Sequence, residues 1–112
     1  MLIRSQNKEV LIVFESLLDV EVSGGVIRTR IEHGWCCSLG EYSTKEKAMK
    51  VLDMIQEAYE EYKITCTFLT GFTGHRAIVE SNDIHVNGSE ELVKSFKKNM
   101  VFQMPEDSEV KA

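Results

Sequence analysis

The densest run of chemically capable side chains is Thr70 to Arg76, TGFTGHR. Within seven residues it offers two hydroxyls, an aromatic ring, an imidazole, a guanidinium and the backbone amides of two glycines. Amides and a guanidinium hold phosphate charge, and a phenyl ring stacks on a base. Read as a glycine-punctuated loop, it makes Phe72, Thr73, Gly74, His75 and Arg76 candidates for binding a nucleotide or phosphate. The spacing matches neither a Walker A loop nor the dinucleotide fingerprint. A plain surface loop between strands is the alternative reading.

Two further groups carry charge. Arg28 and Arg30 alternate along a strand-like segment and share its exposed side. They suit an anion, above all if a homodimer brings two copies together, or they simply guard a strand edge against aggregation. Asp53, Glu57, Glu60 and Glu61 fall on the outer side of a helix-like segment. Such carboxylates are either a solvated face or an acidic patch for a basic partner.

Nucleophilic and metal chemistry find less support. Cys36 and Cys37 would point to opposite faces of a strand. Together with His33, Cys66, His75 and His85 they lack the paired half-motifs of a zinc site, so no metal or cofactor is expected. A Cys–His nucleophile needs a poised thiolate, yet all three cysteines sit in strand-like segments rather than at helix starts. The chain is therefore read as a non-enzyme without catalytic residues. A small hydrolase using His75 or His85 is the competing class, and a structural or replication-accessory domain without a ligand is a third.

These groups must be positioned by an α+β scaffold. Leu2 to Arg4 reads as a short strand, Gln6 to Lys8 as a turn, and Val10 to Phe14 as a buried strand. Val20 to Val22, a Gly24-Gly25 turn and Val26 to Ile31 form a hairpin. After a turn at His33-Gly34, Trp35, Cys37 and Leu39 share one face of a further strand, completing an antiparallel meander with one wet face. Ser43 with Glu46 fits a capping box. From there Ala48, Val51, Leu52, Ile55, Tyr59 and Tyr62 make an apolar helical stripe whose job is to cover the sheet.

The remainder divides into short pieces. Ile64, Cys66 and Phe68 alternate as a strand, and Ala77 to Val79 and Ile84 to Val86 are strand candidates. Ser89 caps a second short helix with Leu92, Val93 and Phe96 inward. Met100 to Phe102 is a last strand stopped by Pro105. Residues 1–105 thus read as one domain, and 106–112 as a flexible acidic tail.

The bulk numbers fit that scaffold. At 112 residues, 43% hydrophobic and 28% charged, the chain can bury a core of its own. A net charge of −5 opposes general nucleic-acid binding. Three cysteines, two of them adjacent, make a poor disulfide framework and favour a cytoplasmic setting. No apolar run reaches the ~20 residues of a membrane span.

Three segments carry a resemblance: IRSQ (Ile3 to Gln6), LGEYSTKEKAMKVLDMIQEAYEE (Leu39 to Glu61) and VFQMPED (Val101 to Asp107). In these the chain resembles a group of small uncharacterised accessory proteins of phages, prophages and mobile elements of Firmicutes. The resemblance implies a setting inside a bacterial host cell and no catalytic motif. It carries a setting rather than a mechanism; with surfaces but no reaction centre, the chain is read as acting stoichiometrically by binding, a host defence system being the expected target. The bound object is either a host defence protein, met by the acidic helix face, or a sequestered nucleotide signal. Residues 64–99 stand apart from the shorter pattern of that group, which makes them the place where a binding elaboration is expected.

Overall fold

The computed structural model describes the backbone of residues 1–32, 34, 36–79 and 98–111, and the side chains of these residues except Cys36 and 69–79. Among the described residues, six strands and one long helix follow in the order β1 (Leu2–Arg4), β2 (Leu11–Val13), β3 (Asp19–Ser23), β4 (Val26–Arg30), β5 (Cys36–Glu41), α1 (Lys45–Val79) and β6 (Val101–Gln103). This is an α+β fold. The strands form two three-stranded sheets, ordered β2-β1-β6 and β3-β4-β5. The second is the expected meander. In the first, β1 runs antiparallel to β2 and parallel to β6, so the two ends of the chain meet.

Pairing register decides which residues face inward. Ile3 lies opposite Ile12 on one side and Phe102 on the other, making one inward row. Val22, Ile27 and Gly40 make another, and Val20, Thr29 and Cys37 a third. A register shift beside Ile27/Arg28 accommodates one extra β5 residue, Leu39, which is itself buried. Ala48, Val51 and Ile55 of α1 close over these rows with Ile3, Ile27, Leu39, Tyr42 and Met104. Phe14 packs on Tyr59 with ring centroids 4.6 Å apart.

The hairpin turn uses its two glycines differently. Gly24 has φ +62°, the left-handed conformation such a turn needs. Gly25 is required by close approach instead: a Cβ there would lie 2.1 Å from the Tyr42 carbonyl oxygen. The Tyr42 amide donates to the Gly25 carbonyl at 2.7 Å, which fastens the end of β5 to the hairpin.

Several sequence expectations change. The run Val10 to Phe14 is not a buried strand. β2 is an edge with Leu11 and Val13 exposed, because it pairs on one side only and turns just Ile12 inward. The helix cap is Thr44 rather than Ser43: the Lys47 amide donates to Thr44 Oγ1 at 3.2 Å, while the Ser43 amide donates to Asp107 Oδ1. Residues 106–111 are docked rather than free. A 3₁₀ turn at Asp107–Glu109 places Val110 in the core, and Lys47 Nζ donates to the Asp107 carbonyl at 3.2 Å.

The largest change follows Tyr62. The segments read as strands at Ile64 to Phe68 and Ala77 to Val79, and as a loop at Thr70 to Gly74, are all part of α1. Once a helix is nucleated, each added residue gains a hydrogen bond. Glycines at 71 and 74, at ~1 kcal/mol each, do not stop it. Thr67 Oγ1 donates to the Lys63 carbonyl at 2.9 Å, so its hydroxyl is satisfied within the helix. Thr65 and Cys66, adjacent in sequence, are buried and half-buried, while Thr67 and Phe68 are both exposed, a helical and not an alternating pattern. The strand expected at Ile84 to Val86 and the helix expected after Ser89 lie outside the described residues.

Candidate functional site

Arg28 and Arg30 do share the outer face of β4, but neither charge is on offer there. Cross-strand register sets Glu21 opposite Arg28 and Asp19 opposite Arg30. Arg28 Nη2 donates to Glu21 Oε1 at 3.0 Å, and Arg30 Nη2 to Asp19 Oδ2 at 2.6 Å. The outer face of β3 and β4 is thus a ladder of matched charges.

The Thr70 to Arg76 reading fails on the backbone. Phe72, Thr73, Gly74, His75 and Arg76 are helical, so their amides donate within α1 and do not form an anion cradle. Their side chains, like His85, lie outside the described ones.

Asp53, Glu57, Glu60 and Glu61 are all exposed along α1. Glu60 Oε1 accepts from Gln56 Nε2 at 3.3 Å. Asp53, Glu57 and Glu61 form no ion pair among the described residues. Glu57 and Glu61, one helical turn apart, stand on the wall of a cleft of about 290 Å³. Met54 and Ala58 complete that wall, and Met1, Lys98, Asn99, Val101 and Phe102 line the rest.

Two hydrogen bonds set the width of this cleft. Asn99 Nδ2 donates to Thr65 Oγ1 at 2.9 Å, pinning the approach to β6 against α1. The Leu2 amide donates to the Met100 carbonyl at 2.8 Å, fastening the same approach to β1. Between them lies a mixed lining, to which Met1, Met54, Val101 and Phe102 bring apolar surface, Glu57 and Glu61 two carboxylates and Lys98 an ammonium. Sequence reasoning found Glu57 and Glu61 but missed Met1, Met54, Lys98 and Val101. Met54, Glu57, Glu61 and Ile64 recur at alternating spacings of three and four, a legible helical stripe. That β6 returns beside that stripe has no local signal.

Next to the cleft, the amino group of Met1 donates to both Glu15 carboxylate oxygens at 2.8 Å, which holds Glu15 below its usual range. The Tyr62 phenol is pushed up to about 12, first by its hydrogen bond with Cys66 and then by burial. A phenol shifted in that direction keeps its proton and is no general base near neutral pH.

The three segments of the resemblance converge in space. Gln6 Nε2 donates to the Glu41 carbonyl at 3.0 Å and to the Pro105 carbonyl at 3.3 Å, and Gln6 Oε1 accepts from the Glu41 amide at 2.9 Å. Tyr42 Oη donates to the Pro105 carbonyl at 2.8 Å, and Gln103 Nε2 to the Ser5 carbonyl at 3.0 Å. These residues bind one another and so build scaffold rather than site. No family model, curated protein or solved structure was found to match the chain. No helix among the described residues is long and apolar enough to cross a membrane.

Proposed function

We propose that this protein acts stoichiometrically, by docking a protein partner on the carboxylates of α1. The setting its resemblance implies is that of a phage-type accessory protein, and the partner in this reading is a host defence effector. One observation carries the reading. Glu57 and Glu61 are exposed, unpaired among the described residues and beside a cleft, whereas Arg28 and Arg30 are matched by their own strand neighbours. The size of the cleft supports a protein partner over a nucleotide: its 290 Å³ falls just below the ~300–1,000 Å³ range of small-molecule sites.

The test is affinity capture from a host-type bacterial lysate, comparing wild type with the E57K/E60K/E61K variant at matched helicity. A retained protein that is lost in the variant and released by raised salt is the expected outcome. Retention indifferent to the three reversals overturns the acidic face as the docking surface. An activity that turns over many equivalents of target per protein overturns stoichiometric action in favour of a hydrolase.

A further inference from the structure

Resting on that docking reading, we infer that the groove along α1 receives a basic amphipathic helix, one that presents an apolar anchor between cations a turn apart. The apolar side chains of the lining are Met1, Met54, Ala58, Val101 and Phe102, and the space of about 290 Å³ takes a side chain or two and nothing larger. Glu57 and Glu61 stand four residues apart, ~6 Å along the helix axis. That matches Lys or Arg at the same spacing on a facing helix.

The groove does not end at the cleft. Ile64, 70% exposed, continues the stripe of Met54, Glu57 and Glu61 toward the C-terminal end of α1. Alternating spacings of three and four make a straight seam of the kind helices pack along. Lys98 breaks the symmetry of the charge. It contributes to the lining without pairing with either glutamate, so the partner's cations are steered to the α1 rim and away from Lys98. An apolar anchor flanked by charges is the arrangement of helix-in-groove recognition.

The probe is a synthetic helix of leucine and lysine, leucines on one face with lysines flanking them, titrated against the methyl- and amide-labelled protein by NMR. A glutamate-for-lysine copy serves as the control peptide. Saturable shifts confined to Met1, Met54, Ala58, Val101 and Phe102 are expected, with no response to the control. Affinity should fall about tenfold in Glu57→Gln with Glu61→Gln, equal to about 1.4 kcal/mol. It should hold in Glu41→Gln with Glu46→Gln, which removes the same charge outside the groove.

Equal weakening by the two double variants overturns the inference, since it shows general electrostatic attraction. So does a free protein already dimeric through the same methyl groups, which makes the occupant a second copy. If the peptide fails to saturate at about 1 mM while lysate capture still depends on the three glutamates, the groove inference falls and the docking reading stands. Loss of both dependences overturns both.

Discussion

The outer faces of β3-β4 and of α1 both carry rows of charge, and they use it in opposite ways. On the strands each guanidinium meets a carboxylate directly across the ladder, at 3.0 and 2.6 Å, so the face is closed on itself. On the helix, Asp53, Glu57 and Glu61 form no ion pair among the described residues, and a cleft opens beside two of them. The difference comes from backbone geometry. Cross-strand neighbours lie close enough to pair by default. Helical residues pair three or four positions apart; around Glu57 and Glu61 those positions hold no cation, and Lys50, three before Asp53, donates to the Lys111 carbonyl instead. A charged residue type therefore says less about binding than the identity of its structural neighbour.

The widest break in this comparison is to remove the frame both faces share. Gly25→Ala drives a Cβ into the Tyr42 carbonyl and severs the bond between the hairpin and the end of β5. Urea unfolding should show a loss of about 3 kcal/mol, within the range of backbone and core clashes. Next in size, Glu57→Lys with Glu61→Lys should cut partner capture at least about tenfold while the melt moves within about 0.5 kcal/mol. That pair of results separates a docking face from a structural one.

Smaller effects sharpen the contrast. Tyr42→Phe deletes the buried hydroxyl bond to Pro105 and should cost about 1 kcal/mol, read by the same unfolding curves. Arg28→Ala should cost under about 1 kcal/mol, as exposed ion pairs do, and leave capture unchanged. Reduced capture in that variant would dissolve the comparison. Finally, Asp107 is a carboxylate already committed. The Ser43 amide hydrogen bond holds it below its ordinary 3.8. Its stabilising contribution is present above 3.8 and disappears as pH falls through the lower native value. A carbonyl NMR titration of Asp107 should show a midpoint below 3.8, and Ser43→Pro, which removes the donor, should raise it.

The legible parts of the fold are those governed by near neighbours. β1, the β3-β4 hairpin, β5, the inward stripe Ala48, Val51 and Ile55, and β6 all follow from alternation, helical period or turn chemistry. The misreadings lie where two periods coexist. Ile64, Cys66 and Phe68 satisfy a strand alternation, while Tyr62, Thr65 and Cys66 continue the helical face, and the nucleated helix wins. The same outcome removed the anion loop, because glycines inside a helix keep their amides engaged. In the candidate site, the carboxylates were readable as an exposed helical face, but the cleft was not. It depends on Asn99 reaching Thr65 across 34 positions of sequence.

By itself, then, the sequence determined an α+β chain with a charged meander and a helix acidic on one side, because residue spacing along a strand or helix is a local property. Only the tertiary structure decided which charges were already matched. It also joined the chain's two ends as neighbouring strands and bounded a cleft next to Glu57 and Glu61. Those outcomes rest on register and long-range closure, which arise when distant segments exclude water together and leave no trace in the spacing of either one.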